Sequence, residues 1–196
     1  MTEPALRLAV ITGSVREGRV GPTVARWFVE QAGQYGRFAT DPIDLAAFPL
    51  PLDLPRPGST DPDTAAVFAT LSSRLAAADA FVLVTPEYNQ SLPASLKNAI
   101  DWSGSEWRAK PVGLVSYGGR AGGTRAAEHA RQVLISLEAV TVRDVISFQY
   151  PKEVFGDDGR PKDAEGCAAA AKGMLRQLDW WATVLRDGRS RRPYAG

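Results

Sequence analysis

The chain has 196 residues, 44% of them hydrophobic and 23% charged, with a formal net charge of +1 at pH 7. That length suits one domain with a real core, and near-neutrality indicates neither a global nucleic-acid footprint nor a global acidic carrier surface. A single cysteine and a single histidine exclude an internal disulfide and a multi-histidine metal site. Cys167, within GCAAAAKG, reads as a packed thiol, and His129, in a charged helical stretch, as a surface histidine. No segment approaches the length of a membrane span. No basic residue precedes Arg7, which itself interrupts the first apolar run, so no signal peptide is read and the cytoplasm is the expected location.

The chain opens with Leu8, Ala9, Val10 and Ile11, a run suited to a buried parallel strand. A polar, glycine-containing loop follows from Thr12 to Gly21, and then a helix with Val24, Trp27 and Phe28 on one face. Strand, glycine loop and helix start bring free N–H groups and the positive helix end together, as an anion requires. Arg16 and Arg19 lie in this loop, and guanidinium groups fork onto phosphate oxygens. Gly13 and Gly18 have Walker A spacing, but Arg19 and Val20 stand where that loop needs Lys and Ser/Thr. Gly13, Gly18 and Gly21 do not fit G-x-G-x-x-G, and the thiolate of a cysteine-based phosphatase loop is missing, since the only cysteine, Cys167, lies far downstream. The loop therefore reads as a cradle for a phosphate that is held and not cleaved, or else as an ordinary turn with solvated arginines.

Ile43 to Leu45 predicts a short second strand, followed by the proline-rich loop FPLPLDLPRPGST, the kind of long loop that forms a lid, site wall or subunit contact. Asp61 predicts a helix cap with Pro62 in the first turn and Val67, Leu71 and Leu75 as its buried stripe. Ala80 to Thr85 is the next buried strand. The segment PEYNQSLPASLKNAIDW follows, with Ser91 as a possible cap of a helix carrying Leu96, Ala99 and Ile100, and Lys97 and Asp101 placed to pair one turn apart. Pro111 to Tyr117 predicts a fourth strand that breaks into GGRAGG. A helix over Thr124 to Leu137, a strand over Val140 to Phe148 and a closing helix from about Asp163 to Leu185 complete the pattern. Leu175, Leu178, Trp181 and Leu185 form the last helix's stripe, and the basic tail from about 187 to 196 reads as a frayed, flexible end. Five strands alternating with helices imply an α/β three-layer sandwich, a parallel sheet with helices on both faces. In the flavodoxin-like order 2-1-3-4-5, the loops after the first, third and fourth strands meet at the switch point, where ligands of such sheets bind.

GSVREGR after the first strand, TPEYNQSLPASLKNAIDW after the third and SYGGRAGG after the fourth together resemble the NADPH-dependent FMN reductase family, which includes quinone, azo and chromate reductases. The resemblance runs from the first strand through at least Gly123, and the middle motif is its specific part. It implies one FMN-binding domain over residues 1–196. Ser14, Arg16, Arg19, Val20 and Gly21 would hold the FMN phosphate, Pro86, Glu87, Tyr88 and Asn89 would pass along the isoalloxazine, and Ser116, Gly118 and Gly119 would close its other side. Tyr88 can lie against the ring face or be a half-buried loop aromatic, while Glu87 is expected to cap or pair elsewhere. Arg120, and less directly Arg125, are candidates for binding NADPH, or else are solvated surface arginines. The resemblance further implies an NAD(P)H oxidoreductase that passes electrons through bound FMN to a small diffusible acceptor such as a quinone or free flavin, with no catalytic side chain and no metal. No nucleic-acid or membrane partner is expected, and a homodimer or homotetramer is implied, to which Trp102, Trp107, Trp180 and Trp181 could contribute. A flavodoxin-like FMN electron carrier is the alternative. It would be expected to carry acidic groups around the flavin, where this first loop carries two arginines.

Overall fold

The computed structural model describes residues 5–54 and 58–194. Its five parallel strands are β1 (Leu6–Thr12), β2 (Phe38–Asp44), β3 (Ala80–Pro86), β4 (Pro111–Gly118) and β5 (Val140–Gln149), in the order β2-β1-β3-β4-β5. Around them run α1 (Gly21–Tyr35), α2 (Pro62–Ala77), α3 (Ala94–Trp102), α4 (Thr124–Ile135), a single turn α5 (Pro151–Val154) and α6 (Ala164–Arg191). Successive strand residues point to opposite faces, so Leu8 and Val10 of β1 pack with Trp27, Phe28, Met174 and Leu178 under α1 and α6. Ala9 and Ile11 pack on the other face with Leu71, Leu75, Leu96, Ile100 and Leu134, from α2, α3 and α4. The expected three layers are present.

Beyond shifts of one or two residues, three boundaries differ from expectation. β2 is longer than Ile43–Leu45 and contains Thr40, Asp41 and Pro42. It is an edge strand paired only to β1, so polar residues face solvent and a proline is tolerated, which hides it from a search for apolar runs. Ser91 does not cap α3, which begins at Ala94 behind Pro93, because Ser91 closes a tight turn with Tyr88. Lys97 and Asp101 pair on that helix as expected, at 2.7 Å. The last helix does not stop at Leu185 but continues through Arg191. Its basic residues dock beneath the sheet, where Arg189 donates to Ala109 O at 2.5 Å, while Arg186 and Arg189 each lie 3.7 Å from the Asp79 carboxylate. Of the predicted tail, residues 195–196 fall outside the described part.

Trp107 is a core residue, 1% exposed, its ring tilted against Phe81 at 4.5 Å between centroids. Trp102 instead fastens the proline-rich loop: its Nε1 donates to Pro51 O at 2.9 Å, and Asn98 Nδ2 donates to Leu50 O and Pro51 O at 2.9 and 3.1 Å. Of the adjacent pair on α6, Trp180 is the one turned outward, 59% exposed.

Lys110, only 7% exposed, sits at the opposite end of the sheet from the candidate site and donates to the last carbonyls of α2, Leu75 O and Ala76 O, at 3.0 and 2.9 Å. Burial, reinforced by the Arg189 charge, pushes its amine down from 10.5 to about 8. In the unfolded chain the amine keeps its proton up to the higher value. Between the two values the unfolded state therefore binds more protons, and stability rises with pH. The gain across that window is up to about 3 kcal/mol. The difference in unfolding free energy between wild type and Lys110→Met, measured by urea denaturation, is expected to grow from pH 8 to pH 10. A difference that shrinks over this range refutes the assignment.

Candidate active site at the sheet's switch point

The chain leaves β1 toward β2 on one side and returns to β3 on the other, so the loops after β1 and β3 open a crevice at the carboxyl edge of the sheet. Three hydrogen bonds tie the loops after β1, β3 and β4 into one rim. Gly13 N donates to Val84 O at 2.9 Å, Glu87 N to Tyr117 O at 3.0 Å, and the Tyr117 hydroxyl to Ser14 Oγ at 3.0 Å. The gathering expected of these loops is therefore met. A cavity of about 340 Å³ lies there, lined by Arg16, Gly18, Arg19, Val20, Pro86, Tyr88, Tyr117 and Lys152 among others, a volume within the range of small-molecule sites.

The β1 loop is built to present donors. Apart from the turn at Glu17–Gly18, no backbone N–H group from Ser14 through Gly21 donates to a described residue, and the run leads directly into the N-terminus of α1. Gly21 must be glycine for a packing reason: a Cβ there would collide with Ser14 Oγ and stand 2.8 Å from the Tyr117 hydroxyl. Ser14 is fully buried beneath the loop. Tyr117 is 6% exposed, and burial pushes its phenol up to about 12, so it remains a neutral hydrogen-bond donor.

The two arginines of the loop diverge. Arg19 forks onto both oxygens of Asp44 at 2.6 and 2.7 Å and donates to Ser14 O at 2.5 Å, bracing the loop against the end of β2. The Arg19 hydrogen bonds hold the Asp44 carboxyl below its ordinary range, and Asp44 in turn raises Arg19. Arg16 makes no ion pair among the described residues and lines the cavity. Lys152, from α5, joins it there and is likewise unpaired among the described residues. Sequence reasoning missed Lys152, because a single helical turn leaves no periodicity to read. It missed Asp44 as well, whose only signal was its place at a strand's carboxyl end.

In the loop after β3, Pro86 and Tyr88 line the cavity, while Asn89 stands exposed at the tip of the turn. Glu87 pairs elsewhere as expected, accepting from Arg125 N at 3.0 Å and Arg125 Nη1 at 3.3 Å. In the loop after β4, Ser116 is buried and its hydroxyl donates to Gly122 O at 3.0 Å, so it shapes the glycine turn from beneath. Gly118 is partly covered by Gly123 and Glu87. Gly119 and Arg120 are exposed, with Arg120 unpaired among the described residues. His129 is not a free surface histidine: its Nδ1 lies 2.8 Å from Ser91 Oγ. Cys167 is half-buried against the α1/α6 core, and burial raises its thiol, an inert environment for sulfur.

A parallel sheet of this order with an anion-ready crevice at its switch point defines the class: a flavodoxin-like α/β protein. The sequence model of the NADPH-dependent FMN reductase family matches residues 6–151, and the chain belongs to that family. It is 41% identical over 126 residues to an NAD(P)H-dependent FMN reductase of Schizosaccharomyces pombe, spanning 62% of each chain. It is also 30% identical over 194 residues to a 2-hydroxy-1,4-benzoquinone reductase of Burkholderia sp., covering 94% of this chain and 99% of that one. Among solved structures, the flavoenzyme NAD(P)H:(acceptor) oxidoreductase FerB of Paracoccus denitrificans superposes with a TM-score of 0.72 at 24% identity, over 92% of this chain and 98% of that one.

Proposed function

We propose that this chain is an FMN-dependent NAD(P)H oxidoreductase that reduces a small diffusible acceptor such as a quinone or free flavin. The observation that carries the reading is the β1 loop, where most N–H groups between Ser14 and Gly21 lack an acceptor among the described residues and where Arg16 and Lys152, without ion-pair partners there, line the same cavity. Donors and positive charge of that kind suit a phosphate dianion. When bound, FMN supplies the redox chemistry, taking a hydride from NAD(P)H and passing two electrons to the acceptor in a ping-pong cycle.

The residues of the chain bind and orient. The N–H groups of the β1 loop, with Arg16 and Lys152, hold the phosphate, and Arg19 keeps the loop in shape through Asp44 and Ser14 O. Pro86, Glu87, Tyr88 and Asn89 present the β3 loop to the ring's polar edge. Tyr88 also offers an aromatic face, and Gly118 and Gly119 leave room on the β4 side. Ser14 and Ser116 support these loops from below. Arg120, exposed in the β4 loop, is the candidate for the negative charges of NADPH. Arg125 is the weaker candidate for that role, because Glu87 already holds it. The apolar groove beside the site, lined by Val15, Leu45, Phe48 and Leu50 among others, offers a wall for a flat acceptor.

The flavoprotein acts in the cytoplasm as a homodimer or homotetramer. Exposed Val15, Leu52 and Leu54 beside the site supply apolar surface for a second copy. No described helix is long and apolar enough to cross a membrane.

Protein reconstituted with FMN and mixed anaerobically with NADPH is expected to bleach at the flavin's visible band and to recover it on adding a quinone. Steady-state kinetics are expected to give parallel double-reciprocal lines. Bleaching only in the presence of a separate reductase favours the electron-carrier alternative instead.

A further inference from the structure

The turn at the tip of the β3 loop is strained. Tyr88 and Ser91 exchange backbone hydrogen bonds at 2.9 and 3.0 Å, and the two residues between them, Asn89 and Gln90, both have positive φ, 49° and 67°. That is a two-residue turn of the I′ kind, which usually places glycine or asparagine at such positions. Asparagine tolerates the left-handed region, but glutamine has no local hydrogen bond to offset the Cβ clash. Strain of this sort persists only where surrounding structure over-determines it.

Both ends of the segment are gripped by one face of α4. Glu87 accepts from the backbone N–H and the guanidinium of Arg125, at 3.0 and 3.3 Å. Four residues on, Ser91 Oγ hydrogen-bonds His129 Nδ1 at 2.8 Å. Arg125 and His129 are themselves four apart, one helical turn, so they present their side chains to the same strip of neighbouring structure. Spacings of four on the helix and on the loop thus coincide, with two anchors at the ends of a turn whose middle disfavours its own conformation. The Ser91 contact also accounts for the chain's only histidine, which the proposed chemistry does not use.

We propose that His129 and Arg125 are positioning residues, clamping the Glu87–Ser91 turn of the β3 loop to α4 in the shape in which it meets the flavin. The flavin part of this inference rests on the function proposed above, whereas the effect on the turn does not. A mere packing role for His129 would be served by any side chain of similar bulk. A clamp needs a hydrogen-bonding atom at the Nδ1 position, which the Asn amide can supply and Leu cannot.

The test reads two quantities in wild type, His129→Ala, His129→Asn, His129→Leu, Ser91→Ala and the His129→Ala/Ser91→Ala pair. The first is hydrogen exchange at the Tyr88 and Ser91 amides of the flavin-free protein, and the second is FMN affinity from quenching of flavin fluorescence. Exchange at both amides is expected to quicken, and the FMN Kd to rise, on the order of five- to tenfold in His129→Ala, His129→Leu and Ser91→Ala. The double variant is expected to be no worse than either single one, and His129→Asn to recover most of the loss. Unchanged exchange in both His129→Ala and Ser91→Ala overturns the clamp, as does a Leu variant that behaves like wild type. Faster exchange in protein that binds no FMN even as wild type keeps the clamp on the turn and sinks the cofactor reading instead.

Discussion

Arg16→Ala combined with Lys152→Ala is expected to weaken FMN binding on the order of 10² to 10³-fold while leaving the fold intact. These are the two cavity-lining cations that no carboxylate of the described protein occupies. A charge-assisted hydrogen bond to a phosphate contributes about 1.5–3 kcal/mol, roughly a tenfold to a hundredfold change in Kd per residue. Coupling through one shared phosphate keeps the pair from adding fully. Titration of the apo-protein with FMN checks this, and riboflavin serves as the internal control. Riboflavin lacks the phosphate, so its weaker binding is expected to stay the same in the double variant. Equal loss for both ligands would mean that the substitutions disturb the ring site, and the phosphate assignment would fall. Arg19→Ala is a different experiment. It leaves Asp44 without its guanidinium partner and unbraces the loop, so a lower melting temperature is expected to accompany any loss of flavin.

Gly123→Ala is expected to be among the most destabilising single-methyl additions in the chain, at roughly 2–5 kcal/mol. Gly123 precedes α4 with φ +86°, and an added Cβ would lie 2.7 Å from Tyr117 N, 2.8 Å from Ser116 Cβ and 2.9 Å from Tyr117 O. Two of those three atoms are backbone at the end of a central strand, which cannot turn aside as a side chain can. The displacement also reaches the site, because the same Tyr117 donates to Ser14 beneath the β1 loop. Gly18→Ala is the matched comparison. Its φ is +64° but no atom lies within 4 Å of the added Cβ, so only the backbone term of about 1–2 kcal/mol remains. Urea denaturation of the two variants separates the contributions, and a loss at Gly123 no larger than at Gly18 would show that the strand end yields.

The reach of sequence reasoning here follows from where each signal resides. β1, β3 and β4 are buried on both faces and therefore read as continuous apolar runs, whereas β2, with one neighbour, hides polar residues and a proline in its exposed positions. Loop motifs are local, so the three rim-forming loops could be picked out by their glycines, arginines and PEYN core. Partners distant in the chain leave no local trace. The Asp44 that occupies Arg19 lies 25 residues away, and the Tyr117 that props Ser14 lies 103 residues away. Arg16 and Arg19 stand in one loop and look equivalent as letters. Their different employment depends on which of them faces the end of β2.

By itself the order of residues determined the alternation of strands and helices, the three loops and, through their motifs, the family. Hydrophobic period and the Asp61–Pro62 helix start are written in short windows of chain, which is why these were legible. Only the folded arrangement decided which cation remains available for a phosphate, that Lys152 joins it, that the basic end of α6 is docked under Asp79 and Ala109, and that His129 holds Ser91. Each of these depends on side chains brought within hydrogen-bonding reach by sheet order and helix packing. That proximity is set by the burial of the whole core and not by any neighbouring residue.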